Sequence, residues 1–158
     1  MDQDHLQTIR TLLTEAGVTY RELHHEPTYT SAESAAVRGE DIRVGGKALL
    51  IKTGDTFRLF VLSAPLKLDA SAVKRRFGVK KVRFATPAEL ADRTGLVPGS
   101  VPPFGRPVLP FDLFVDESVA RNDRIAFNAG TLTDSIILAT TDYLTVARPD
   151  IFRFGKDA

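Results

Sequence analysis

A predicted β-hairpin at residues 47–63 sets the architecture that this chain can adopt. The segments KALLIKT (47–53) and TFRLFVLS (56–63) are apolar runs of strand length. Gly54 and Asp55, which separate them, are a strong signal for a tight turn. The chain is therefore expected to contain a sheet that grows from this hairpin.

Further strands and helices flank the hairpin. The other predicted strands are 18–25, 80–85, 113–116, 124–128 and 135–139. Helices are predicted at 4–16, from Thr30 to Gly39, from Asp69 to Phe77, from Thr86 to about Arg93, and at 141–147. Strands outnumber helices and follow one another in hairpin-like runs. This order, and the lack of a G-x-G-x-x-G motif, favour an α+β fold with a mixed sheet over a doubly wound one.

Residues 95–107 (GLVPGSVPPFGRP) cannot form regular structure, because their four prolines and three glycines exclude both a helix and a strand ladder.

The length of 158 residues suits one domain, which we expect to span 1–158. No apolar run approaches the roughly 20 residues of a membrane helix. The N-terminal sequence MDQDHLQTIR is too polar for a secretory signal, so a cytoplasmic location is predicted.

The composition excludes several classes of chemistry. The chain has no cysteine, which removes disulfides, thiolate metal sites and cysteine nucleophiles. His24 and His25 are adjacent and would point to opposite faces of a strand, so they cannot hold one metal together. Neither a metal site nor another cofactor is predicted. A net charge of +1 is low for a nucleic-acid binder, and no helix-turn-helix pattern indicates DNA binding.

Lys47 places a cation directly before the apolar run Ala48 to Ile51. A half-buried ammonium is costly unless a negative group meets it. The preceding Gly45 and Gly46 would allow a ligand to approach the backbone. Lys47 is therefore either a solvated residue at a strand end or an anchor for an anionic ligand. A phosphate-binding Walker loop is excluded, because Asp41 and Ala48 stand where that motif needs Gly and Ser or Thr.

Two other segments are candidate ligand sites. In GSVPPFG (99–105), Pro102 and Pro103 stiffen a loop in which Ser100 and Val101 keep their N–H donors, an arrangement that suits a carbonyl or oxyanion. The alternative is a plain connector. The segment Asn128–Gly130 ends a strand, where it forms either a ligand contact or only a turn. The basic cluster, defined as residues 74–83 (KRRFGVKKVR), could contact phosphates or could be an ordinary solvated surface.

In this order the motifs resemble a known family. HHEPTYTSAESAAVRG, GGKALLIK, FATPAELADRTGLVPGSVPPFG and RIAFNAGTLTDSIILATTDYL are similar to the YbaK/prolyl-tRNA synthetase-associated deacylases, and most similar to their YeaK-like branch. The resemblance covers about residues 20–147. It implies a mixed, partly barrel-like sheet surrounded by helices, and an enzyme that hydrolyses the ester of mischarged aminoacyl-tRNA.

The resemblance also implies roles for individual residues. Lys47 would be the family's essential lysine and would meet the terminal adenosine of tRNA, while the loop from Gly99 to Pro103 would hold the aminoacyl carbonyl or the sugar. The substrate's own ribose hydroxyl and a water would supply the chemistry. The predicted catalytic residues are Lys47, Gly99, Ser100, Val101 and Pro103. The predicted substrate-binding residues are His25, Thr28, Tyr29, Thr30, Pro102, Asn128, Ala129, Gly130 and Ser135.

The implied substrate carries a small amino acid, with Ser or Thr first and Ala next. Hydroxyls near Tyr29, Thr30 and Ser34 are compatible with a hydroxylated side chain. The predicted partner is the acceptor end of aminoacyl-tRNA, with an aminoacyl-tRNA synthetase as a second candidate. Two alternatives remain: a non-catalytic module that binds tRNA or a synthetase, and a hydrolase of other aminoacyl esters or nucleotides.

Overall fold

The computed structural model describes residues 4–158, so the first three residues of the predicted domain lie outside the described part. Its helices are α1 (His5–Glu15), α2 (Ser31–Arg38), α3 (Ala70–Phe77), α4 (Pro87–Thr94), α5 (Glu117–Ala120) and α6 (Thr140–Ala147), with a short 3-10 helix at Ile42–Val44. Its strands are β1 (Tyr20–His24), β2 (Gly46–Thr53), β3 (Thr56–Ser63), β4 (Lys67–Leu68), β5 (Val82–Phe84), β6 (Leu113–Asp116), β7 (Arg124–Asn128), β8 (Asp134–Ala139), β9 (Asp150–Phe152) and β10 (Gly155–Lys156).

The predicted hairpin forms the centre of the molecule. Strands β2 and β3 pair antiparallel along their whole length, from Gly46 opposite Ser63 to Thr53 opposite Thr56. Gly54 in the turn has a φ of 62°, a left-handed conformation that favours glycine. The hairpin prediction is confirmed.

Three sheets are built from these strands. The five-stranded sheet has the order β5-β2-β3-β6-β9, the three-stranded sheet has the order β1-β8-β7, and β10 pairs with β4. The pairs β3–β6 and β6–β9 are parallel, whereas the other strand pairs are antiparallel. A bridge between Gly45 and Ala126 links the two larger sheets. The prediction of an α+β fold with a mixed sheet is confirmed.

The five-stranded sheet is buried on both faces. On β3, Leu59 and Val61 belong to one apolar cluster, while Phe60 and Leu62 belong to another on the opposite face. All four are fully buried. Each side chain contributes about 1.5–3 kcal/mol by leaving water, so this strand is a rigid support for its neighbour β2, which carries Lys47.

The helix boundaries follow from local capping. The Thr30 and Thr86 hydroxyls accept hydrogen bonds from the backbone amides of Glu33 and Glu89, and the side chains of those glutamates accept from the threonine amides in return.

Residues 95–107 contain no helix or strand, as predicted. Within residues 4–158, no helix combines the length and hydropathy that crossing a bilayer requires.

The C-terminal tail, for which the sequence indicated no structure, is held by a buried aspartate. Strand β9 lies parallel to β6, and Asp116 Oδ1 accepts from the Phe154 and Gly155 amides at 2.7 Å each. Burial alone would raise the pKa of Asp116, but hydrogen bonds from Ser118 and from these two amides together lower it. The carboxylate therefore stays ionised and ties the tail to the five-stranded sheet.

Candidate active site

A small cavity of about 220 Å³ opens between α2, the start of β2 and the 95–107 loop. Its lining residues are Thr28, Tyr29, Thr30, Ser31, Ser34, Ala35, Arg38, Ile42, Gly45, Gly46, Lys47, Ala48, Leu49, Ala64, Gly99, Val101 and Asn128. Sites for drug-sized ligands usually measure ~300–1,000 Å³, so this cavity suits a smaller group. Among these lining residues there are two cations and no carboxylate, which gives the cavity a positive charge.

Lys47 lies at the start of β2 and is half-buried. Its ammonium donates to the Leu66 carbonyl at 2.6 Å. Burial lowers the pKa of Lys47, and no carboxylate among residues 4–158 lies within ion-pair distance of it. A cation held this way at a cavity wall can meet an anionic group of a ligand.

The glycines before Lys47 have an additional structural role. A Cβ on Gly46 would lie 2.6 Å from Ile125 Cδ1, closer than any real contact allows. A Cβ on Gly45 would lie 3.1 Å from Ala64 Cβ. Packing against β7 therefore favours glycine at position 46. This packing role is separate from the approach of a ligand, which was the role expected from the sequence.

The 99–105 loop offers fewer donors than its sequence indicated. The Ser100 amide donates to the Val97 carbonyl at 3.1 Å, and the Ser100 hydroxyl donates to the same carbonyl at 2.8 Å. The expectation that the Ser100 amide is available to a ligand is therefore wrong. The Val101 amide has no acceptor among residues 4–158, and Val101 lines the cavity with Gly99.

Asn128, at the end of β7, connects this loop to α2. Its side-chain amide donates to the Gly99 carbonyl at 2.8 Å, and its side-chain oxygen accepts from Arg38 Nη2 at 3.0 Å. Gly130 donates to the Ser100 carbonyl and has a φ of 87°, and a Cβ there would lie 2.9 Å from His5 Cβ. The strand end thus fixes the loop in place.

The segment before α2 forms the hydroxyl-rich wall of the cavity. The hydroxyls of Thr28 and Ser34 are hydrogen-bonded at 2.8 Å and both residues are buried. Tyr29 is 73% exposed at the mouth. The Thr30 hydroxyl accepts from the Glu33 amide, and its own proton is left to donate to a ligand.

Half of the predicted site residues do not line the cavity. They are His25, Ser100, Pro102, Pro103, Ala129, Gly130 and Ser135. His25 Nε2 and Ser135 Oγ lie 2.8 Å apart, a spacing typical of a nucleophile and its base. Ser135 is fully buried, however, and also accepts from Arg38 Nε at 3.0 Å, so its hydroxyl supports Arg38 and does not face a ligand.

Arg38 is the charged cavity residue that was not predicted from the sequence. It is the last residue of α2 and is 8% exposed. It lies four residues after Ser34 on the buried face of that helix, where an apolar side chain is usual. In the sequence, the only signal was that Ser34 and Arg38 are polar residues four positions apart, just before Gly39. That spacing places them on one face of a helix but does not show that the face is buried.

His24 and His25 diverge as predicted: His24 Nδ1 contacts Asp134 Oδ1 at 2.9 Å on the surface, whereas His25 contacts Ser135. Among residues 4–158, no three His, Cys, Asp or Glu side chains are grouped so that they could hold a metal ion. The chemistry available in the cavity is therefore donation of hydrogen bonds and positive charge.

Comparison with known sequences shows which family the chain belongs to. A sequence profile described as the aminoacyl-tRNA editing domain matches residues 25–146, which include every cavity residue. The chain belongs to the aminoacyl-tRNA editing domain family. The family resemblance deduced from the motifs is thereby confirmed.

Individual members of the aminoacyl-tRNA editing domain family extend this result. The multifunctional Ser/Thr-tRNA deacylase ProXp-y of Escherichia coli (strain K12) is 35% identical, over 96% of this chain and 93% of that one. The prolyl-tRNA editing protein ProX of Acetoanaerobium sticklandii is 29% identical, over 66% of this chain and 65% of that one. A solved structure described as a candidate trans-editing enzyme for prolyl-tRNA synthetase shares the fold, with a TM-score of 0.81, 23% identity and 99% coverage of both chains.

Proposed function

We propose that this protein is a trans-editing deacylase that hydrolyses tRNA mischarged with a small amino acid, Ser or Thr first and Ala next. Membership of the editing-domain family supports the reaction class. The 35% identity to a protein named as a Ser/Thr-tRNA deacylase supports Ser and Thr as the first substrates. The structural observation that carries the proposal is the small cavity with two cations and no carboxylate among its lining residues.

Lys47 would bind a phosphate of the terminal adenosine of the tRNA. Its position beside the cavity, its positive charge and its lack of a carboxylate partner in residues 4–158 support this role. On binding, the Lys47 ammonium would exchange its hydrogen bond to the neutral Leu66 carbonyl for one to a phosphate. A hydrogen bond between two charged groups is stronger than one to a neutral carbonyl.

The Val101 amide and the Gly99 backbone would hold the aminoacyl carbonyl or the ribose. The support is that both residues line the cavity and that Asn128 fixes the loop by its bond to the Gly99 carbonyl. A donor placed in advance where negative charge develops lowers the barrier, and losing one such donor costs roughly 10²–10³ in rate.

The reaction needs no protein nucleophile. Water adds to the ester carbonyl carbon with the help of the neighbouring ribose hydroxyl, and the bond from that carbon to the other ribose oxygen breaks. The ribose oxygen takes up a proton, so the products are the free amino acid and uncharged tRNA. Neither Ser135, which is fully buried, nor His25, which is hydrogen-bonded to it, lines the cavity, and this supports the proposal.

We propose the acceptor end of charged tRNA as the partner, with an aminoacyl-tRNA synthetase as an additional partner. We also propose a cytoplasmic location, because charged tRNA is the substrate.

Within the basic cluster, Arg83 pairs with Glu89 and Arg76 stacks on Phe152. Four exposed cations of the cluster have no ion pair among residues 4–158: Lys74, Arg75, Lys80 and Lys81. These four side chains are available to phosphates of the acceptor stem.

The test is a deacylation panel with purified protein and tRNAs charged with Ser, Thr, Ala, Cys and Pro, together with a free seryl ester. We expect cleavage of Ser- and Thr-tRNA first and of Ala-tRNA next, with slow cleavage of the free ester. Equally fast cleavage of the free ester would favour a general aminoacyl esterase. Binding of charged tRNA without cleavage of any substrate would favour the non-catalytic module.

A further inference from the structure

The guanidinium of Arg38 is a buried cation whose protein partners are all neutral. Arg38 Nε donates to Ser135 Oγ and Arg38 Nη2 donates to Asn128 Oδ1, each at 3.0 Å. Burial lowers the pKa of Arg38 to about 10, so it is still charged at neutral pH. Glu40 opposes this shift by a smaller amount, but Glu40 itself pairs with Arg124 at 2.6 Å.

One nitrogen of Arg38 is left over. Arg38 Nη1 has no acceptor among residues 4–158, although Arg38 lines the cavity. A Cβ built on Gly45 would lie 3.7 Å from this nitrogen and 3.1 Å from Ala64 Cβ. The unused donor therefore lies at a corner of the cavity where the neighbouring residues have almost no side chain. Nη1 is not one of the fully enclosed atoms, so it is open to the cavity, where a ligand can supply the acceptor that the protein does not.

The depth of Arg38 indicates which part of a ligand reaches it. Lys47 is half-buried, whereas only 8% of Arg38 is exposed, so Arg38 is the more enclosed of the two cations. A tRNA is far larger than the cavity and must stay outside, with its phosphates toward the mouth. The group that enters deepest is then the side chain of the amino acid. A hydroxyl oxygen at the end of that side chain can accept from the N–H of Arg38.

We propose that Arg38 determines specificity by donating a hydrogen bond from Nη1 to the side-chain oxygen of Ser or Thr. The inference rests on the deacylase function proposed above and adds the residue that selects the hydroxyl. An alanyl ester would leave the guanidinium without an acceptor, and sites built to bind a substrate hydroxyl discriminate strongly against analogues that lack it. Asn128 and Ser135 are positioning residues here, because they hold the other two guanidinium nitrogens.

The test compares kcat/KM for Ser-tRNA and Ala-tRNA, with the same tRNA body, in wild type, Arg38→Met and Arg38→Lys. Arg21→Met serves as the control, because it removes an exposed arginine that contacts Glu40 only at 3.9 Å. We expect the Ser/Ala ratio to fall at least about tenfold in Arg38→Met, the equivalent of ~1.4 kcal/mol, in addition to any loss that the two activities share. Arg38→Lys should give an intermediate ratio and the control an unchanged one.

A ratio that stays at the wild-type value in a folded Arg38→Met protein would overturn this role, whether both activities fall together or neither falls. If thermal melting shows that Arg38→Met does not fold, Arg38→Lys decides: a lowered ratio supports the role and an unchanged ratio overturns it. A wild type that cleaves neither substrate would refute the proposed function and this inference together, whereas an active wild type with an unchanged ratio refutes only this inference.

Discussion

At the scale of single residues, the cavity concentrates positive charge that the protein itself does not neutralise. Lys47 contacts a carbonyl, and Arg38 contacts a hydroxyl and an amide oxygen. Both side chains have lowered pKa values because burial disfavours their charged forms. As pH rises, Lys47 therefore loses its proton earlier than an ordinary lysine, and binding of an anion would restore the charged form.

Gly46→Ala is expected to destabilise the protein by about 1–3 kcal/mol, because the new Cβ overlaps Ile125. Urea unfolding of Gly46→Ala, Ile125→Val and the double variant measures this. Since Ile125→Val removes the atom closest to the new Cβ, the double variant should lose less than the sum of the singles. Unchanged stability of Gly46→Ala together with lost deacylation would mean that glycine serves only ligand access.

The two cavity cations also differ in how far they could be predicted. Lys47 is conspicuous beside an apolar run, so its chemistry is visible in the sequence. Arg38 is held by hydrogen bonds to Asn128 and Ser135, which lie 90 and 97 residues away along the chain. Partners this distant cannot be predicted from the residues around Arg38. The same limit applies to the Ser100 amide, whose acceptor depends on the path of an irregular loop.

At the scale of elements, helix ends were predictable and the C-terminal tail was not. The capping boxes at Thr30 and Thr86 depend on a residue three positions later, so the sequence contains the whole interaction. The tail strands β9 and β10 depend on Asp116, which is 38 residues from Phe154. Their short segments have too few apolar residues to indicate strands by themselves.

Thr30→Ala and Thr86→Ala form a matched pair, because each removes the N-cap hydroxyl of an eight-residue helix. Each should lower the free energy of unfolding by about 1 kcal/mol, measured by urea denaturation. Only Thr30→Ala should raise KM for charged tRNA, since Thr30 lines the cavity and Thr86 does not. Equal KM values in the two variants would show that the α2 cap contributes to stability alone.

At the scale of the whole molecule, the cavity and the basic cluster lie at opposite ends of β2. Strand β5 of the cluster pairs with Ile51 to Thr53, whereas Lys47 starts the strand, a separation of roughly 13–20 Å at ~3.3 Å per residue. A ligand that reaches both must be elongated, as an acceptor stem with its single-stranded end is. Although the net charge is only +1, positive charge is therefore concentrated in two places, the cavity and the basic cluster.

Reversing two charges of the cluster, Lys74→Glu with Lys81→Glu, is expected to weaken binding of charged tRNA and to reduce the slope of log affinity against log salt by about two. The rate at saturating tRNA should be unchanged, because both side chains lie far from the ester. Lys156→Glu is the control, since it is exposed and outside the cluster. Equal salt slopes in the two variants would show that the cluster does not contact the RNA.

Single-turnover deacylation of Ser-tRNA by wild type and Lys47→Ala tests whether Lys47 enables cleavage of seryl-tRNA in this cavity. With enzyme below saturation, we expect a rate loss of roughly 10–100-fold in the variant, because a hydrogen bond between Lys47 and a phosphate is worth about 1.5–3 kcal/mol. Thermal melting should be nearly unchanged, because Lys47 makes one neutral contact and no ion pair within residues 4–158. A folded variant that cleaves Ser-tRNA as fast as wild type would contradict the claim.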